Sequence, residues 1–210
     1  MHTILGVEVL LFLFYSMSHQ QEDIYQEIPR EFYSFESQTP FERCIECEKY
    51  LLDNTEYVIE KAIKKYDGYT ATDTVFDYAI CMNCAEKMRN EFSKESLSKI
   101  DAYFGKHFNF LNITRFAGKE KLDMDECLSN CLIKDVSIDE VNEYQIYAYC
   151  KGDKLVKSIP PYMVSGQAID EILPLLSDPT TDFLNGFFNK HFGPDPALVE
   201  PDPRDRLVFI

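Results

Sequence analysis

Two Cys-x2-Cys pairs, Cys44-Ile-Glu-Cys47 and Cys81-Met-Asn-Cys84, constrain the fold of this chain more than any other feature. Thiolates two residues apart can share one metal ion, and two such pairs complete the tetrahedron of a structural zinc site. One pair alone is a weak sign; two in one short acidic chain are a strong one. The spacing therefore predicts Cys44, Cys47, Cys81 and Cys84 as ligands of a structural Zn2+. Four thiolates leave no coordination position open to water, which disfavours a catalytic ion. Zinc binding by finger peptides is worth roughly 10–16 kcal/mol, enough to make folding depend on the metal.

Seven cysteines is an odd number, and four of them fall into chelating pairs. That usage argues for a reducing compartment and metal-bound thiolates rather than a disulfide framework. A thioredoxin-like reading needs a strand before each pair and a helix after it. Cys81 to Cys84 has that context, and Cys44 to Cys47 lacks the upstream strand. Among the remaining thiols, Cys131-Leu-Ile-Lys134 and Cys150-Lys-Gly-Asp153 look like the first pairs with the second ligand replaced. Cys131 and Cys150 are thus candidates for a degenerate second site. The simpler reading is that they pack, with Cys127, as small apolar residues.

The elements between and after the pairs follow from periodicity. Tyr57 to Tyr66 fits a helical stripe through Val58, Ala62 and Tyr66, yet also one face of a strand through Tyr57, Ile59 and Ile63. Thr72 to Ile80 is β-rich and needs a partner, and Asp67-Gly68 supplies a turn, so a hairpin is the expectation. Ala85, Met88 and Phe92, then Leu97, Ile100, Phe104 and Phe108, continue as helical stripes, with Ser93 to Ser96 as a kink or new N-cap. Further on, Met124 to Ile133 is a short helix candidate. Glu143 to Cys150 and Leu155 to Ile159 form a second hairpin, ended by Pro160-Pro161. Ser165 caps a helix carrying Ala168, Ile169 and Ile172. Asp178-Pro179 starts another, with Phe183, Leu184, Phe187 and Phe188 as a core stripe, His191 as a helix-end charge and Gly193 as its close.

With Cys44 to Cys47 as a knuckle, a hairpin, and Cys81 to Cys84 leading into a helix, the segment Phe41 to Phe108 resembles a treble-clef zinc finger. That resemblance implies an α+β fold. A zinc knuckle, β-hairpin and helix come first, and a second β-hairpin with C-terminal helices follows. Treble clefs include nucleases that carry a catalytic histidine near the hairpin. The histidines here are His2, His19, His107 and His191, none of them in the hairpin.

The chain then divides into an apolar leader or mis-assigned start (1–16), an extended aromatic arm (17–43), the zinc module (44–118), the hairpin with helices (119–192) and a proline-rich tail (193–210). Residues 4–15 are too short for a comfortable membrane span and lack a basic residue ahead of the apolar run. A cytoplasmic location is the expectation, with a membrane-anchored or exported protein as the alternative. A net charge of -15 repels phosphate backbones, which sets nucleic acid aside and favours a basic protein partner. No nucleophile–base arrangement, P-loop or dinucleotide glycine pattern is present. The functional expectation is a non-enzymatic, zinc-stabilised interaction protein. The competing reading is a metal-dependent hydrolase or nuclease relative.

Overall fold

A computed structural model of the chain describes residues 25–66, 68, 71–107, 114–116 and 119–193. The apolar stretch 4–15, the start of the arm, Phe108 and the tail from 194 lie outside the described residues. Six strands build one antiparallel sheet: β1 (Tyr25–Glu27), β2 (Glu56–Lys65), β3 (Thr72–Cys81), β4 (Glu143–Lys151), β5 (Lys154–Val156) and β6 (Tyr162–Ser165). Their order is β1-β5-β4-β2-β3, and β6 lies beside β5 along the same edge of β4. There β6 pairs Tyr144 to Tyr147, and β5 pairs Cys150 and Lys151. Five helices are described: α1 (Met82–Glu91), α2 (Lys94–His107), α3 (Met124–Cys127), α4 (Gly166–Ile172) and α5 (Asp178–Phe192).

The ambiguous segment 57–66 is strand up to Lys65, as the expected hairpin requires, paired with β3 as far as Lys65 and with β4 as far as Lys64. Every residue from Tyr57 to Ala62 is buried. A central strand covered on both faces loses the apolar–polar alternation that marks a half-buried one. The same holds for β4, buried from Tyr144 to Cys150. Phe76 and Tyr78 lie on one face, where α5 covers them with Phe187, Phe188 and Phe192. Lys61 and Asp77 lie on the other, under the aromatic arm. Lys61 Nζ donates to the Tyr33 carbonyl at 2.6 Å, and the Phe35 N–H donates to Asp77 Oδ2 at 2.6 Å.

The arm reaches beyond the four-cysteine segment, because β1 pairs with β5 and Gln26 Oε1 accepts from the Leu122 N–H. One continuous apolar core joins residues from both halves of the chain. The boundary expected near residue 118 therefore divides the chain but not the sheet, whose central pair takes one strand from each half.

The helical stripes are in place. Ser93 separates α1 from α2 and caps the latter, accepting from the Ser96 N–H at 3.0 Å. Ser165 Oγ caps α4 through the Ala168 N–H. Three elements differ from expectation. The helix over Met124 to Ile133 ends at Cys127, because Asn130 and Asp135 turn the chain back, Asp135 with a φ of 55°. The strand over Leu155 to Ile159 stops at Val156, and a strand follows Pro160-Pro161 instead, at Tyr162 to Ser165. The cap of α5 is Ser177, with Asp178 already helical.

Candidate metal centre

Cys44 and Cys47 sit in a tight turn closed by the bridge between Arg43 and Tyr50. The Cys44 N–H donates to the Lys49 carbonyl at 3.0 Å, and the Glu48 N–H donates to the Cys44 carbonyl at 2.9 Å. Glu48 closes the turn at a φ of 56°, a left-handed conformation uncommon for a residue with a side chain. The Ile45 N–H donates to the Ala79 carbonyl at 2.9 Å, which fastens the turn to the outer edge of β3. Two residues later β3 ends at Cys81, the N-cap of α1, and Cys84 falls in the first turn of that helix. The strand-to-helix junction thus carries both thiols of the second pair to the turn that holds the first.

All four Sγ atoms lie within 4.8 Å of one another, and Cys47 and Cys81 approach to 3.8 Å. A tetrahedron of thiolates about 2.3 Å from a central ion has edges of about 3.8 Å, so the cluster fits one metal ion. Cys44, Cys81 and Cys84 are buried, and Cys47 is exposed. Backbone donors face the sulfurs: the Cys81 N–H lies 3.4 Å from Cys44 Sγ, the Lys49 N–H faces Cys47 and the Cys84 N–H faces Cys81. Such donors favour the charged form of the group they bind.

The thiols differ in acidity. Burial, then the neighbouring thiols, push Cys84 up, and burial also raises Cys81. For Cys47 burial acts upward too, but the Lys49 N–H and three neighbouring thiols outweigh it and hold the group below its ordinary value. A cation held by Cys44, Cys47, Cys81 and Cys84 would replace these protons, since a coordinating thiol is deprotonated outright.

Glu46 ties this turn to the last helix. Its carboxylate accepts from Lys190 Nζ at 2.8 Å and contacts His191 Nε2 at 2.8 Å. Burial pushes the carboxyl up, and the two basic partners pull it below the usual range. The His191 ring also packs at a tilt against Phe187, and its nitrogen serves Glu46. Its position at the end of α5 was legible in the sequence; its acidic partner, far away in the chain, was not. Beside the cluster runs a groove of about 450 Å³, floored by Met88, Phe183 and Phe187 and rimmed by Lys87, Glu91 and Lys190.

Cys131 and Cys150, expected together, are apart. Cys131 lies in a turn that bridges to Met163 on β6, next to Ser165. Ser165 in turn faces Tyr144, at the end of β4 remote from Cys150. Six residues of strand, about 20 Å, separate Tyr144 from Cys150. Cys150 instead faces Tyr57 and Leu155 at the mouth of the hairpin, its thiol pushed up by burial. Cys127 is buried in α3, where burial and then Glu126 raise its thiol to about 12.

Among the described residues no helix is long and apolar enough to cross a membrane. Compared with known proteins, the chain matches no family model, no curated protein and no solved structure.

Proposed function

We propose that this chain is a zinc-stabilised, non-enzymatic interaction protein built on a treble-clef module, with Cys44, Cys47, Cys81 and Cys84 as the zinc ligands. The convergence of four thiols to within 4.8 Å carries the reading. A set of four sulfurs at tetrahedral distances selects zinc or an iron–sulfur centre over harder cations. The turn, the hairpin β2–β3 and the helix capped by Cys81 follow the order of a treble clef. A closed shell of thiolates has no place for a catalytic water, which supports a structural role.

The ion would bind the turn, the end of β3 and the start of α1 into one unit, and Glu46 extends that unit to α5. An interaction role draws on the acidic surface, at a net charge of -15, which suits a basic protein partner. The groove beside the cluster adds an apolar floor of the kind that binding surfaces expose.

Metal analysis of purified protein, beside a Cys44→Ser, Cys47→Ser variant, tests the reading. One zinc per chain, lost in the variant together with cooperative unfolding, is the expected result. A colourless protein without metal, whose paired thiols oxidise and reduce reversibly, would replace it with the redox interpretation.

A further inference from the structure

The second half of the chain repeats the backbone of the metal-binding half. Glu60 and Tyr147 are eighty-seven residues apart, and the same shift takes Cys44 to Cys131. The bonds of the first turn recur one for one. Cys131 N–H donates to Val136 O at 2.8 Å, Asp135 N–H to Cys131 O at 3.0 Å and Ile138 N–H to Ser129 O at 2.8 Å. Their counterparts are Cys44 to Lys49, Glu48 to Cys44 and Leu51 to Glu42, at 3.0, 2.9 and 2.8 Å. Asp135 takes a φ of 55° where Glu48 takes 56°. The turn is docked on its strand alike, Leu132 N–H to Met163 O as Ile45 N–H to Ala79 O.

The strand-to-helix junction recurs as well. Tyr144 faces Ser165 as Tyr57 faces Cys81, and each of these partners is the N-cap of the following helix. A sulfur receives the same backbone donor in both: Ser165 N–H reaches Cys131 Sγ at 3.2 Å, and Cys81 N–H reaches Cys44 Sγ at 3.4 Å. The two halves meet about an approximate two-fold axis between β2 and β4. Glu56 pairs with Lys151, and Glu143 with Lys64, at 3.1 and 2.5 Å. Gly152 N–H to Thr55 O is likewise answered by Lys65 N–H to Asn142 O.

We infer that residues 129–172 are a second copy of the metal-binding unit in which the tetrathiolate seat keeps its backbone but has lost three of its four ligands. Cys131, Lys134, Ser165 and Ala168 stand in the places of Cys44, Cys47, Cys81 and Cys84. Side-chain bonds now take the place of the ion. Cys131 Sγ accepts from the Lys134 N–H at 3.4 Å and from Ser165 Oγ at 3.3 Å. Lys134 reaches α4 through an ion pair with Glu171. Three thiols restored to this backbone form a seat for a second thiophilic divalent cation.

The test uses the full chain with Lys134→Cys, Ser165→Cys and Ala168→Cys combined, titrated with Co2+ and followed by thiolate-to-cobalt charge-transfer absorption. Binding is expected to rise by about one equivalent over the parent chain, and adding Cys131→Ser is expected to remove the gain. A variant that takes up no further cobalt, whether folded or not, overturns the inference. The conservative Ser165→Cys change alone gives an independent reading. Refolded from denaturant in oxidised glutathione, which is reduced as the bond forms, the introduced thiol is expected to form a disulfide with the otherwise fully buried Cys131, seen by peptide mass, and its absence overturns the placement. A parent chain that binds no cobalt beside a variant that binds one equivalent would overturn the reading of the first centre and leave this one supported.

Discussion

Glu60 and Tyr147 face each other across the central pair of strands, with the Tyr147 hydroxyl 3.3 Å from Glu60 Oε1 and the Tyr78 hydroxyl 2.5 Å from Oε2. The carboxyl is fully buried. Burial holds it well above the usual range, and the two phenol donors draw it back only in part.

A pH dependence follows from that acid. The unfolded chain loses the Glu60 proton near about 4.3, whereas the folded chain retains it to higher pH. Between those two values the unfolded state binds fewer protons, so stability falls as pH rises. Glu60→Gln removes this dependence. Thermal unfolding at pH 5 and pH 8 is expected to show a smaller loss for the variant than for the parent, both metal-loaded. Equal losses would rule out a protonated Glu60.

Loss of the Glu46 carboxylate is expected to loosen α5 without dispersing the four-thiol cluster. Glu46→Ala removes partners of both Lys190 and His191. The ion pair with Lys190 and the hydrogen bond with His191 are partly exposed, so together they are worth about 1 kcal/mol. Calorimetry is expected to show a melting temperature lower by roughly 2–4 °C. Metal content is expected to stay at the parent value.

Two helices begin at a shared set of hydroxyls. Ser177 Oγ lies 2.8 Å from Ser93 Oγ, 3.1 Å from Ser96 Oγ and 3.3 Å from Thr180 Oγ1. Ser93→Ala is expected to cost about 1 kcal/mol, the usual worth of a cap. Ser177→Ala, whose hydroxyl bonds the other hydroxyls and no backbone N–H of α5, is expected to cost about 1 kcal/mol as a hydrogen-bond loss. Because the two side chains share one network, the double variant in urea unfolding is expected to depart from the sum. Strict additivity would show that the hydroxyls act separately.

Gly152 turns β4 into β5 at a φ of 58°. A Cβ there would lie 3.2 Å from the Asn54 nitrogen and 3.4 Å from the Leu52 carbonyl oxygen. Gly152→Ala is expected to destabilise by about 1–2 kcal/mol from the left-handed backbone alone. Urea midpoints of the two proteins decide it; an unchanged midpoint would mean that the turn relaxes freely.

The gathering of the four paired cysteines and most helices were legible because their signals are local. A Cys-x2-Cys pair can bite one ion through its local spacing alone, and the stripe Ala85, Met88 and Phe92 needs only the helical period to find one face. Residues 57–66 read as helix or strand from their own pattern, and only the need of 72–80 for a partner made the hairpin the expectation. From Tyr57 to Ala62 a strand buried on both faces has no polar side to reveal its period. β6 escaped notice because four residues after two prolines carry too short a pattern.

By itself, then, the sequence determined which four thiols gather and where α1, α2, α4 and α5 run. Tertiary structure decided what stands opposite what. It set β2 against β4, brought Glu46 to His191, and placed Ser165 beside Cys131 while carrying Cys150 to the far end of the strand. These contacts join residues distant in the chain, and their choice depends on strand register. In a sheet, register is settled by the packing of the whole face rather than by any residue's neighbours in sequence.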